Sequence, residues 1–325
     1  MPRPPFPYRA EDVSFANPVG GHKLAGTLTT PPGAGPVPAV VLVSGSGPQD
    51  RDESLMGHKP FLVLADHLTR RGVAVLRYDD RGVGKSGGRF DGATSADFAT
   101  DAAAAVAFLR GRPGIDPKRV GICGHSEGGL IGPTVAAADR LTVGFLVLLA
   151  GPGLPGFEVI QTQARDILKA DGKSDKEVDA LLALNRLSLG ALMKPWVNPR
   201  PVLAAVAGGL ANPSADRWRP KPPGDPWVRH FLAYDPRPTL ALVRCPVLAL
   251  IGGKDLQVAA KPNLEAIKSA CPWADCRELP GLNHLFQPAT TGSPAEYGKI
   301  ETTFDPAALD AISAWVLAVQ SGEPK

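Results

Sequence analysis

The chain has 325 residues, 44% hydrophobic and 21% charged, with a formal net charge of +3. This is the composition of a globular protein, with room for one large α/β domain carrying an insertion, or for two domains. No Lys/Arg block is long enough for a nucleic-acid surface, and no apolar run reaches the length of a membrane span. The first ten residues hold four prolines and no apolar stretch, so the sequence as given shows no signal peptide. A trimmed leader would leave a similar start, and both a cytoplasmic and an exported origin stay open.

Residues 11–30 read as two strands, 12–15 and 24–29, joined at Gly20-Gly21 and expected as an antiparallel hairpin at a sheet edge. After a Pro/Gly break, Ala39–Val43 is apolar throughout, as a strand buried on both faces should be. It runs into Ser44-Gly45-Ser46-Gly47-Pro48-Gln49-Asp50-Arg51-Asp52-Glu53, whose charges are expected to brace the loop by ion pairing. Helical periodicity follows over 59–71, a buried strand over 73–78, and an alanine-rich helix over 95–111. A strand at 119–123, a helix at 127–138 and a strand at 144–149 complete the alternation. Strand and helix in turn predict a mainly parallel sheet covered on both faces.

The rhythm stops after Gly151. Residues 152–240 offer two helical stretches, near 157–170 and 175–193, then a proline-rich segment containing Trp196, Trp218 and Trp227. Aromatic, strandless and inserted, this segment reads as a lid over a pocket. The α/β pattern resumes with a strand at 247–251, a helix at 260–270, a short strand near 276–280 and a helix at 306–319. The expected organisation is a core of 1–151 and 241–325 with a helical, Pro-rich cap of 152–240.

Chemistry centres on Gly124-His125-Ser126-Glu127-Gly128, a G-x-S-x-G placed between strand and helix. A serine on so tight a turn has strained backbone angles, and glycines at 124 and 128 let strand and helix approach. A hydroxyl is a weak nucleophile near neutral pH and needs a base, and that base needs an acid to fix its tautomer. In the order Ser, acid, His, the loop after strand 247–251 supplies Asp255 and the loop after 276–280 supplies His284. His22, His58 and His67 precede the serine, and His125 is locked beside it. His230 and Asp235 are the remaining alternatives. The backbone N–H groups of Glu127 and Ser46, or of Gly47, are the expected oxyanion donors. Gly45, Gly47, His125, Trp196 and Trp227 are the expected pocket residues.

These motifs resemble the α/β-hydrolase family, and most closely bacterial serine esterases carrying Ser-Gly-Ser-Gly-Pro-Gln-Asp-Arg-Asp-Glu, Asp-Asp-Arg-Gly-Val-Gly-Lys-Ser and Gly-His-Ser-Glu-Gly-Gly. The resemblance covers roughly residues 11–320. It implies an α/β-hydrolase fold and hydrolysis of a small carboxylic ester or thioester without a cofactor. Where many relatives begin the first loop with His-Gly, this chain has Ser44-Gly45. A serine aminopeptidase or amidase is the nearest rival, and a silent hydrolase fold acting as a binding module is a rival of another class. The aromatic lid and the short loop of small residues point to short or medium acyl groups.

Two further motifs mislead. Gly84-Lys85-Ser86 ends like a P-loop, but the first glycine of that pattern is Asp79 here. Gly151-Pro152-Gly153-Leu154-Pro155-Gly156 matches G-x-G-x-x-G, yet prolines occupy its intervening sites. Cys123, Cys245, Cys271 and Cys276 read as free thiols, and no Cys/His grouping suggests zinc. The oligomeric state stays open.

Overall fold

A computed structural model describes residues 1–33, 35–139, 142–192 and 225–321. The hairpin is β1 (Arg9–Asn17) and β2 (His22–Thr30), paired antiparallel from Arg9↔Thr30 to Asn17↔His22. Asn17 organises its turn: the side-chain oxygen accepts the N–H groups of Val19 and Gly20, both at 2.9 Å. The other strands are β3 (Val37–Val43), β4 (Ala74–Tyr78), β5 (Ile115–His125), β6 (Leu146–Leu149), β7 (Val247–Gly252) and β8 (Asp275–Leu279). They form one sheet in the order β1-β2-β4-β3-β5-β6-β7-β8. β2 meets β4 antiparallel, and every pair from β4 onward is parallel. The sheet is mostly parallel with an antiparallel N-terminal edge, as expected. β5 begins earlier than its apolar run, because Ile115 already pairs with Val37 ahead of a bulge.

Helices alternate with strands. α1 (Pro60–Arg70) follows β3, α2 (Ser95–Arg110) follows β4, and α3 (Gly128–Ala138) follows β5. Between β6 and β7 lie α4 (Gly156–Ala170), α5 (Asp175–Leu192), α6 (Pro226–Ala233) and α7 (Pro236–Leu240). α8 (Ala260–Ala270) joins β7 to β8, and α9 (Pro306–Ser321) comes last.

Successive side chains of a strand point to opposite faces, so each apolar strand feeds two cores. Val41, Val43, Leu76 and Ile122 pack with α2, α3 and α8 on one side, joined by Val159, Trp227 and Phe231 from the segment between β6 and β7. Val40, Leu42, Val75 and Cys123 pack with Phe61, Leu64 and Leu68 of α1 and Ile312 and Trp315 of α9 on the other. The run 39–43 is apolar without alternation for this reason. Parallel strands place their C-terminal ends on one edge, and the loops leaving β3, β5, β7 and β8 there carry the candidate site. Among the described residues no helix is long and apolar enough to cross a membrane.

Candidate active site

Ser126 sits between the end of β5 and the start of α3 with φ 52°, in the left-handed region that a side chain seldom adopts. Such a residue costs about 1–3 kcal/mol and persists only when its surroundings over-determine it. Here they do. Its N–H donates to the Leu149 carbonyl at 2.8 Å, and its carbonyl accepts from Gly129 N–H at 2.9 Å. A Cβ on Gly124 would lie 2.0 Å from the Gly128 carbonyl oxygen, and one on Gly128 would lie 2.2 Å from that of Val43. The close approach inferred for these two glycines is therefore literal. Gly45 is also close: a Cβ there would stand 3.1 Å from that of Ser126. Ser126 itself stays half-buried.

Asp255 and His284 meet. Nδ1 of His284 lies 2.8 Å from Oδ2 of Asp255, and both side chains are buried. Oδ1 of Asp255 accepts the N–H groups of Gln257 and Val258, each at 2.8 Å, which pins the carboxylate in rotation. The loops bearing the two residues are sewn together: Gly253 N–H donates to Leu279 O at 2.8 Å and Lys254 N–H to Leu282 O at 2.9 Å. Gly252 permits this, since a Cβ there would sit 2.2 Å from Leu282 O. Asn283 then shapes the histidine turn, its side-chain oxygen accepting from Leu285 and Gln287 N–H. No hydrogen bond joins the Ser126 hydroxyl to His284 among the described residues, and such contacts are often long before substrate binds. His230 and Asp235 lie on α6 and at the N-terminus of α7, outside this pair.

The loop after β3 is rigid at its base. Ser44 Oγ donates to Asp80 Oδ1 at 2.8 Å, and Gly45 N–H donates to Glu53 Oε1 at 2.7 Å. With Gly45 engaged, Ser46 carries the next N–H along the loop. Neither that N–H nor the one of Glu127 has a hydrogen-bond partner among the described residues. The charged stretch braces the loop as expected: Arg51 pairs with Asp79 and Asp12, and Asp52 with Lys59 and Arg77. Burial pushes the Asp80 carboxyl well above the usual range, the Glu127 and Glu53 carboxylates add to that, and its bonds to Gln49 N–H and Ser44 oppose it.

Residues 40–297 match the family model described as "Alpha/beta hydrolase family". The chain belongs to the alpha/beta hydrolase family. Esterase EstD of Thermotoga maritima is 30% identical over 297 residues, which are 90% of this chain and 65% of EstD, so the chain spans less than two thirds of that relative's length. Among solved structures, Est1E of Butyrivibrio proteoclasticus with ferulic acid bound superposes with a TM-score of 0.59 at 18% identity, covering 96% of this chain and 98% of the other. The Pyrococcus furiosus esterase Pf2001 gives 0.56 at 15% identity, covering 95% and 91%. At such identities these two speak for the fold alone.

Other parts of this alpha/beta hydrolase were less legible. The Glu127 side chain is buried and accepts from Ser95 Oγ at 2.6 Å and Trp227 Nε1 at 2.7 Å, so the residue after Ser126 is tied to α6. α6 is positioned by Asp225, whose carboxylate caps it by accepting from Trp227 and Val228 N–H, and by Pro226 at its first turn. Trp227 is buried and stacks on Phe231. His125 is buried too, bound to Glu53 and to the His284 carbonyl rather than facing open space. Gly47, at φ 99°, lines a small hollow with Ser44, Gly45, Asp80 and Glu127. Trp196 lies outside the described residues. No signal in the sequence could have joined Glu53 to His125 or Trp227 to Glu127, because both pairs cross between elements.

The two misleading motifs have physical explanations in this hydrolase. Where a P-loop would hold phosphate, the Asp79 carboxylate accepts the N–H groups of Lys85 and Arg51. A Cβ on Gly84 would run into it at 2.5 Å. The amides of Gly153 and Leu154 are already spent on the side-chain oxygen of Asn263. All four cysteines are free thiols. Among the described residues no group of three or more His, Cys, Asp or Glu side chains could hold a metal ion.

Proposed function

We propose that this protein is a serine carboxylesterase acting on small esters through an acyl-enzyme, with Ser126 as nucleophile, His284 as general base and Asp255 as its orienting acid. The observation that carries this reading is the buried His284–Asp255 bond of 2.8 Å, on loops at the same sheet edge that presents Ser126 on its tight turn. The similarity to EstD, itself named an esterase, supports an ester substrate over other acyl donors.

In the proposed reaction Asp255 keeps the proton on Nδ1 of His284, leaving Nε2 to accept the Ser126 proton. The serine oxygen attacks the ester carbonyl, and the oxyanion that forms is met by the unpartnered N–H groups of Ser46 and Glu127. Collapse expels the alcohol, which takes the proton from Nε2. Water then repeats the sequence on the acyl-enzyme, using the same base, and releases the acid. In this reading the described helices between β6 and β7, α4 to α7, form the cap, and Gly45 and Gly47 keep the loop beneath it thin. Short to medium acyl chains are the substrates this reading assigns.

Labelling with a fluorophosphonate followed by mass spectrometry tests the reading. An adduct on Ser126 is expected, and Ser126→Ala should hydrolyse p-nitrophenyl acetate several orders of magnitude more slowly. An unchanged rate in that variant would end the proposal. A series of esters from acetate to palmitate, run beside thioesters and aminoacyl amides, tests the substrate class, and a maximum at palmitate or on an amide would overturn it.

A further inference from the structure

His125 is a buried ring with an acceptor at each nitrogen. Nε2 lies 2.9 Å from the carbonyl oxygen of His284, and Nδ1 lies 2.8 Å from Oε1 of Glu53. A backbone carbonyl can only accept, so Nε2 carries a proton. Glu53 Oε1 already accepts the Gly45 N–H at 2.7 Å, which disfavours a proton on that oxygen. Its other oxygen, Oε2, is buried without any partner, so a proton placed there would have no acceptor. The arrangement these contacts favour is an ionised Glu53 with protons on both nitrogens of His125.

We propose that Glu53 and His125 form a buried carboxylate–imidazolium pair that positions the site, fastening the loop of the oxyanion donors to the loop of His284. The inference rests on the serine-esterase reading above. One end of the pair holds Gly45, next to Ser46, and the other holds the backbone of His284 itself. His125 is thus a positioning residue acting through the base.

The groups around the ring fit this role. From the loop after β3 comes Glu53, and from the turn after β8 comes the His284 ring, 4.8 Å away between centroids, with Asp255 behind it. Cys123, two residues back on β5, is held as a neutral thiol by burial and by the charge of Glu53. Pro60, Phe61, Leu149, Leu285, Phe286 and Phe304 close the lining. Burial works against charge on His125, yet the Glu53 carboxylate and the His284 carbonyl outweigh it and hold the ring above its ordinary value of 6.5. The two charges of the pair cancel, so the base sees a fixed dipole and a fixed tether. Glu53 also holds φ 52°, a strained backbone kept at a residue whose side chain makes both contacts.

Nuclear magnetic resonance of the protein labelled with ¹⁵N-histidine, in a Ser126→Ala background, reads the protonation directly. His125 is identified by the signal absent from His125→Gln. Two protonated ring nitrogens are expected to persist as pH rises above 6.5, where an ordinary imidazole is mostly neutral. A bare Nδ1 at that pH refutes the ion pair, and this answer does not depend on the protein being an esterase. Glu53→Gln keeps the shape but removes the charge, and with Gly45 N–H holding the amide oxygen it sets that oxygen against Nδ1 of a neutral His125, so in the same spectra the His284 Nδ1–H signal should shift or broaden. An unchanged signal refutes the positioning role. In active protein Glu53→Gln should lower kcat on p-nitrophenyl acetate by about 10- to 100-fold with KM nearly constant. A parental kcat would also refute it, whereas turnover that survives Ser126→Ala would instead refute the catalytic assignment.

Discussion

Replacing Asp255 by asparagine isolates the tautomer argument, because the structure dictates how the amide must sit. Oδ1 of Asp255 accepts two backbone N–H groups, from Gln257 and Val258, both at 2.8 Å. An NH₂ there would put donors against donors, so the amide oxygen must keep that place. The NH₂ group then faces Nδ1 of His284, where Oδ2 now lies at 2.8 Å. A donor at that point forces Nδ1 to accept, moves the ring proton to Nε2, and leaves no lone pair for the Ser126 proton. The side chain is isosteric and both backbone bonds survive, so the fold should persist while kcat falls by roughly 10³- to 10⁴-fold, about 4–5.5 kcal/mol of transition-state stabilisation. The assay is kcat and KM on p-nitrophenyl acetate, with thermal unfolding of the same preparation. A folded Asp255→Asn protein within about tenfold of the parental kcat would refute the reasoning, since a single wrong tautomer should cost far more.

Other substitutions probe the scaffold. Gly128→Ala places a Cβ 2.2 Å from the Val43 carbonyl and 3.0 Å from that of Ser44. It should lose about 1–3 kcal/mol or more in urea unfolding, together with the proposed esterase activity, and parental stability would contradict the packing account. Trp227→Phe keeps the stacking on Phe231 but removes the Nε1–H donor to buried Glu127. A loss of about 1–3 kcal/mol is expected, read as a shift of the urea midpoint. Asp80 carries a folded-state pKa raised above its ordinary 3.8, mainly by burial. Folding is therefore penalised as pH rises from near 3.8 towards the raised value, where the unfolded chain has released a proton that the folded chain keeps. Asp80→Asn should melt higher than the parent at neutral pH, with the difference closing as pH falls below 3.8, and a constant offset across that range would contradict the assignment.

Much of the fold follows from local rules. A run such as 39–43 with no polar residue has nowhere to go but between two layers, and helices of 3.6-residue periodicity between such runs force parallel crossovers. The hairpin, the sheet's antiparallel edge and the placement of Ser126 between β5 and α3 were all legible because neighbours along the chain determine them. The chain order of Ser126, Asp255 and His284 is likewise a linear property. Strand limits were less legible: the start of β5 at Ile115 depends on pairing with Val37, a residue on another strand.

What the tertiary structure alone decided is which charges meet. Glu53 stands in an acidic, arginine-containing loop where every charge looks like a brace, and Arg51 and Asp52 do act that way. Glu53 instead turns inward to His125, 72 positions later in the chain. Trp227, which by pattern was an aromatic of the cap, donates its indole N–H to Glu127, the residue after Ser126. Composition and periodicity report the free energy of burying apolar surface, which is additive along a chain. A buried hydrogen bond depends on a few tenths of an ångström between atoms that only the packed sheet brings together, and no local pattern encodes that distance.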